Sequence, residues 1–508
     1  MKIKFLMPFA AALLLSGFPL KSFGDDLVII HTNDTHSQLD PDDETDLGGI
    51  GRRKVLIDSI RKAHDNVMLV DAGDVVQGSL YFNLHHGEIE NKLMDKLGYD
   101  LRILGNHEFD DGMEMLKKNI IDTKSQWLST NYKFADPELA GKFSPFTIRN
   151  FDGKRIGFIA LNLEPKGMIS EGNYDGVEYV DPYKAANATA WALKNLDSCD
   201  VVVALTHIGY LPTGTGTSDL QLATNSRDID VIIGGHSHTT IDPAAKDPRK
   251  PWLVPNADGR MILVTQTGKS GKNIGEVTIN LDDLTSSYKL IPVTSRLDDR
   301  IDDDIVEMIA PYKAGVDSLM TLKVAESAVA MAKDSNELLN FLSDYMAVRG
   351  KQLAGKKIDF GMVNVGGVRR GLPKGDISEG QILMMLPFNN KIEVLEIKGK
   401  DLLENFDVMA RDGSASVSAE VEAVYDPLTH KCTGVFIAGK PVDPNKTYYM
   451  ATIDYLANGG DYMTPLTRAK KVAVSPNKFS TDFLDYLRKN YKGKVINPSS
   501  VQRIHPAQ

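Results

Sequence analysis

The sequence predicts two bodies in one chain: a layered α/β domain over residues 25–294, then an α+β domain over residues 333–508, with a connecting helix in 295–332. Three observations carry this. A chain of 508 residues exceeds what a single hydrophobic core serves. From Leu27 to about Lys289, short β-rich runs alternate with helical patterns, the signature of a layered α/β fold. After about Lys333 the texture changes to one helical run followed by turn-rich segments and strands.

The chain opens MKIKFLMPFAAALLLSGFPLKSFG, with Lys2 and Lys4 ahead of an apolar stretch from Phe5 to Leu15. That is the pattern of a secretory signal peptide over residues 1–24, too short to span a bilayer. Cleavage near Gly24 would start an exported mature chain close to Asp25, periplasmic if the source is Gram-negative and otherwise secreted or surface-associated. No cysteine lies near the cleavage site, and no later segment has the length and apolarity of a membrane span. Cys199 and Cys432, the two cysteines, stand far apart and read as free thiols rather than as a disulfide framework.

The runs LVIIHT, NVMLVDAG, LRILGNHE, DVVVALTH, DVIIGGHSH and ILVTQTG each end in polar or glycine-rich residues and read as strands. FTIRNFDGKRIGFIALN reads as a hairpin turning at Asp152 and Gly153. GGIGRRKVLIDSIRKAH and PYKAANATAWALKNL carry apolar residues at helical spacing, and Ser295–Met320, charged and then amphipathic, reads as the connecting helix. In the second domain NELLNFLSDYMAVRG is helical, while KIEVLEIKG and AEVEAVYD are strands. There is no internal repeat.

A formal net charge of -10 argues against binding a nucleic acid polymer, which needs clustered Lys and Arg on the phosphates. A phosphate-bearing small molecule would need a local cationic site.

The chemistry lies at the strand ends, where ligands collect in open α/β sheets. Five runs end in metal-type ligands: Asp34 and His36 in NDTHS, Asp74 in DAGD, Asn106 with His107 in GNHEFD, His207 in THIGY, and His236 with His238 in GGHSH. Each has a plain structural alternative, since Asp34 could hold a turn, Asp74 could cap a helix and His207 could be a satisfied core histidine. Five such endings together point to metal. His31, His64, His85 and His86 lack that placement and read as structural or exposed. Two divalent ions can clamp a phosphate, activate water and stabilise a leaving oxygen. Imidazole and carboxylate suit Mn²⁺, Zn²⁺, Fe²⁺ or Co²⁺, and the absence of cysteine from the set excludes a thiolate zinc site.

In this order the five motifs resemble those of the metallophosphoesterases of the 5′-nucleotidase family. The resemblance implies a four-layer α/β/β/α sandwich followed by an α+β substrate-binding domain. It also implies a ligand set: Asp34, His36, Asp74 and His238 on one ion, and Asp74, Asn106, His207 and His236 on the other. His107 is implied to protonate the leaving group or steady transition-state charge, with Asp110 orienting its imidazole, a pairing that makes physical sense because a carboxylate fixes the tautomer. A plain alternative is that Asp110 caps the helix beginning at Asp111.

The resemblance extends to NVGGVR, LPF and YLANGGD. By it, Asn364 and Arg369 contact the substrate, Phe388 and Tyr455 sandwich a base, and Asp461 holds the ribose. Tyr455 stands where phenylalanine is common in the family, a mild change because a phenol ring also stacks. A stacking pair accepts any base, since every base has a π-face. For a further family arginine, Arg349 in DYMAVRG is the nearest candidate, although the family's Gly-Asn-Leu helix opening is LLNFLSD here.

The expectation is an exported dimetal phosphohydrolase that converts 5′-nucleotides to nucleoside and phosphate. Alternatives on the same site are 2′,3′-cyclic nucleotides, UDP-sugars or a sulfur ester, and, from another class, a non-catalytic nucleotide-binding protein, which would have a broken ligand set.

Overall fold

A computed structural model describes residues 26–212 and 216–507; the expected signal peptide lies outside the described residues. The first half is built on two sheets. In the seven-stranded sheet the spatial order is Ser286–Pro292, Asn273–Asn280, Asp26–Thr32, Asn66–Asp71, Leu101–Arg102, Gln126–Leu128 and Phe143–Ser144. The six-stranded sheet runs Leu253–Pro255, Met261–Thr265, Val231–Ile233, Val201–His207, Lys154–Asn162 and Phe146–Phe151. The last two strands form the expected hairpin, with Asp152 at φ 46° and Gly153 at φ 84°, as a primed two-residue turn requires.

Side chains alternate between the faces of a strand, and that alternation builds the layers. Leu27 and Ile29 point into the cluster shared with Phe158, Val202 and Ile232 of the other sheet, whereas Val28 and Ile30 join Ile50, Ile57, Ile89 and Leu93 on the outer helices. Ala186, Ala190 and Leu193 of the helix Pro182–Asn195 cover the six-stranded sheet. The result is a four-layer α/β/β/α sandwich. Burial on both faces explains why these strands read as continuous apolar runs. Each buried Val, Leu or Ile contributes about 1.5–3 kcal/mol to holding the layers together.

LRILGNHE yields only a two-residue strand, Leu101–Arg102, after which Gly105 packs against the backbone of Asp74. The helix Asp303–Thr321 buries Ile305, Ile309 and Val316 against the outer-face cluster and also meets the helices Leu80–His85 and Glu379–Met385.

The second half has its own core, from Leu338 and Leu342 through Phe360, Val394 and Met450 to Phe483. Its five-stranded sheet is ordered Ala415–Val417, Phe360–Asn364, Thr447–Ile453, Lys391–Lys398 and Lys470–Lys478, with the helix Asn336–Ala354 packed against it. Asn364 ends one strand, and Tyr455 directly follows another in the short helix Asp454–Ala457. Phe388 lies in the loop entering a third.

Candidate active site

The loops leaving the first-half strands converge. Five of the seven candidate ligands have left-handed backbones: Asp34, His36 and His238 at φ 50°, 50° and 54°, Asp74 at 56° and His236 at 77°. Such conformations are costly outside glycine and persist where the surroundings over-determine them, commonly at functional sites. The glycines of VIIGGHSH permit the approach. A Cβ on Gly235 would lie 2.8 Å from both the Ala72 carbonyl and His207 Nδ1, and one on Gly234 would meet the Asp219 carboxylate at 2.0 Å.

Three groups of ligand atoms result, Asp34/His36/His238, His36/Asp74/His107 and Asp74/His207/His236, with the atoms of each within 4.8 Å of one another. Asp74 belongs to two of them. His236 Nδ1 lies 2.9 Å from Asn106 Oδ1, which brings the seventh candidate in.

Hydrogen bonding sets the tautomers. His36 Nδ1 lies 3.2 Å from the Gln77 carbonyl and His207 Nδ1 2.7 Å from the Ala72 carbonyl, so both rings donate outward and turn Nε2 inward. His36 Nε2 then faces His238 Nε2 at 2.8 Å. Burial holds both rings well below the usual histidine pKa, and burial together with His207 takes His236 to about 3. Neutral imidazoles with converging lone pairs are the form in which histidine ligates a divalent cation. Burial opposes protonation of His207, but Asp74 at 3.1 Å outweighs it and raises the group to about 10, the mark of a strongly anionic pocket. The donor set, nitrogen and oxygen without sulfur, fits divalent ions of the Mn, Zn, Co or Fe kind.

Beside the cluster, His107 Nδ1 lies 2.9 Å from Asp110 Oδ2, and its backbone N–H donates to Asp74 Oδ1 at 2.8 Å. Burial lowers His107, yet Asp110 and Asp74 reverse the shift and leave it above the usual range. The alternative of Asp110 as a helix cap does not occur. The helix begins at Gly112 behind Asp111, without a side-chain cap bond, and the Asp110 carboxylate is taken by His107.

A cavity of about 210 Å³ joins this centre to the second half of the chain; Asp74, Asn106, His107, Asp110, His236 and His238 line one side, and Asn364, Arg369, Phe388, Tyr455 and Asp461 the other. The Phe388 ring stacks on His107 at 5.8 Å, with the Arg369 guanidinium 5.8 Å from its centroid. Asn364 donates to Asp461 at 2.8 Å, and the Tyr455 hydroxyl lies 3.0 Å from the same carboxylate. Gly460 is obligatory there, since a Cβ would fall 2.5 Å from the Tyr455 ring.

Arg349 is a correction. Its guanidinium is engaged by Asp482 at 3.0 Å through both Nε and Nη2, and it does not line the cavity. A buried carboxylate on another helix satisfies it in the fork geometry arginine favours.

Sequence reasoning passed over two residues that hold the site. Asn33 donates to Asp34 Oδ2 at 2.6 Å and accepts from the Thr267 backbone at 2.9 Å, tying the first loop to the sixth. Glu108 accepts the backbone N–H groups of Asp74 and Val75. Both stand beside quoted ligands, but their partners lie far along the chain.

Residues 27–240 match the model of the calcineurin-like phosphoesterases, and residues 318–468 match that of the 5′-nucleotidase C-terminal domain. The chain is 28% identical over 491 residues to a 5′-nucleotidase of Rattus norvegicus, covering 86% of this chain and 83% of that protein. It is 27% identical over 504 residues to a trifunctional nucleotide phosphoesterase protein of Bacillus subtilis, of whose length it spans 32%. The crystal structure of a 5′-nucleotidase precursor from Thermus thermophilus superposes with a TM-score of 0.83 at 29% identity, covering 95% of this chain and 99% of that one. The two matched models, in this order and around this donor set, establish that the chain belongs to the 5′-nucleotidase family of metal-dependent phosphoric ester hydrolases.

Proposed function

We propose that this protein is an exported dimetal phosphohydrolase that removes the 5′-phosphate from nucleoside monophosphates. The observation that carries the reading is the shared cavity, lined both by the His/Asp cluster with His107 and by Arg369, Phe388 and Tyr455, which supports a phosphate ester bound with its base in one pocket. The names of the rat and Vibrio cholerae relatives, both 5′-nucleotidases, support the substrate class. The signal-like opening of the sequence supports export, and no helix among the described residues is long and apolar enough to cross a membrane.

On this reading Asp34, His36, Asp74 and His238 hold one ion and Asp74, Asn106, His207 and His236 the other. Divalent ions so bound would polarise the phosphoryl oxygens and offset the negative charge that repels a nucleophile. The chain's own residues do the rest. Arg369 supplies the cation that draws the phosphate in, while Phe388 and Tyr455 take the base between them and Asp461 accepts from the ribose hydroxyls. As a water oxygen bonds to phosphorus and the P–O5′ bond breaks, His107 donates its Nε2 proton to the departing oxygen. Asp110 on Nδ1 keeps that proton available by favouring the charged imidazole.

The test is phosphate release from AMP by the purified mature protein with Mn²⁺, beside His107→Ala and a chelated control. Release that requires both metal and His107 is the expected result. No release from any 5′-nucleotide, with 2′,3′-cyclic nucleotides or UDP-sugars hydrolysed instead, would overturn the substrate assignment. Absence of both metal binding and release would leave a binding protein.

A further inference from the structure

We propose that Glu108, which follows His107 and is not among the candidate ligands, is the positioning residue of the metal centre. Its carboxylate accepts three backbone N–H groups: Gly105 at 2.5 Å and Asp74 at 3.0 Å on Oε2, and Val75 at 2.8 Å on Oε1. Asp74 reciprocates by accepting the His107 N–H at 2.8 Å on Oδ1. The second and third ligand loops are thus cross-bolted, each carboxylate holding the backbone of the other loop. The bolts work at contact distance. A Cβ on Gly73 would lie 2.6 Å from the Gly105 nitrogen, and one on Gly105 would lie 2.1 Å from Asp74 Oδ1.

Asp74 needs such restraint. It sits at φ 56°, a left-handed backbone that is uncommon outside glycine, and it is the one candidate ligand assigned to both ions. Both oxygens of the Glu108 carboxylate accept, so one side chain holds backbone donors from two loops at once. Glu108 is 9% exposed and its oxygens are spent on amides, so its contribution runs through Asp74, Asn106 and His107 rather than through substrate. Among the described residues its hydrogen bonds run to backbone of the metal-side loops.

Glu108→Gln separates positioning from bulk. The amide has one accepting oxygen, so its nitrogen confronts either the Val75 N–H or the pair from Asp74 and Gly105. Glu108→Asp keeps the charge but withdraws it by one methylene. This inference rests on the dimetal reading above, and the experiment distinguishes the two. Mn²⁺ binding is titrated on metal-stripped wild type and both variants, with the melting temperature of each metal-free protein and with kcat and KM for AMP.

For Glu108→Gln the Mn²⁺ dissociation constant is expected to rise by about 10- to 100-fold, as when the partners of ligands are removed elsewhere. Excess Mn²⁺ should recover part of kcat, and KM for AMP should stay within about threefold because the base-side contacts are untouched. Wild type that binds no Mn²⁺ overturns the dimetal reading and this inference with it. Wild type that binds while both variants bind within twofold overturns only the role of Glu108. If the variants lose melting temperature but the folded protein binds Mn²⁺ with unchanged affinity, Glu108 is structural and the inference fails. Should Glu108→Gln not fold, the dissociation constant of Glu108→Asp decides.

Discussion

Removing the Phe388 ring is the sharpest test of where the base sits. Among the described residues Phe388 has one ring neighbour, His107 at 5.8 Å with planes 28° apart, and one cation, Arg369, 5.8 Å from its centroid. If a nucleobase stacks on this ring, Phe388→Ala forfeits ~1–3 kcal/mol, the range found for base–aromatic stacking. At 1.4 kcal/mol per tenfold this is a loss of about 5- to 150-fold in kcat/KM for AMP. The same change also frees Arg369 and His107 slightly, and a partly exposed cation–π contact is worth ~0.5–1 kcal/mol, or about two- to fivefold. Ribose 5-phosphate separates the two contributions, since it offers the same phosphate ester without a base. The assay is phosphate release from AMP and from ribose 5-phosphate by wild type and variant. The variant should lose most of the preference for AMP while ribose 5-phosphate changes by no more than the small contribution. Equal losses on both substrates would refute the stacking argument and make Phe388 a support for His107. No loss on either would place the base elsewhere.

Asp110→Asn tests the acid. Burial lowers His107, and Asp110 and Asp74 together raise it. With Asp110 neutral the imidazolium is less favoured, so the alkaline limb of kcat, where the acid loses its proton, should move to lower pH. kcat should fall by about 10- to 100-fold, less than the ~10²–10⁴ typical of a general acid, because the ring remains. An unshifted alkaline limb would refute the role. Glu90→Gln tests the core beneath the site. Burial pushes the Glu90 carboxyl up to about 7 from 4.5, with Ser37 opposing only in part. A raised folded pKa means the folded chain holds the proton longer. The stabilisation is therefore complete below about 4.5 and lost as pH rises through 7, up to ~3 kcal/mol. The metal-free Glu90→Gln protein should gain melting temperature relative to wild type between pH 5 and pH 8; a pH-independent difference would contradict this.

What the sequence determined alone was whatever local pattern encodes. Continuous apolar runs ending in Asp, Asn and His marked the strand ends, since a strand buried on both faces is mostly apolar and polar residues gather where it leaves the sheet. Gly234 and Gly235 marked the close approach of the backbone to something, and Asp152–Gly153 marked a turn that needs positive φ. Those signals survive without knowledge of the fold because their causes lie within a few residues. The tertiary structure decided everything that depends on partners distant in the chain. His36 and His238 are 202 residues apart, yet their Nε2 atoms meet at 2.8 Å. Arg349 looked available for substrate, but Asp482, 133 residues away, engages it first. Glu108 read as one more letter of a motif, and only the packing of two loops shows three amides converging on its carboxylate. Which polar group finds which is settled by sheet order and loop approach, and neither is written in the spacing of residues along the chain.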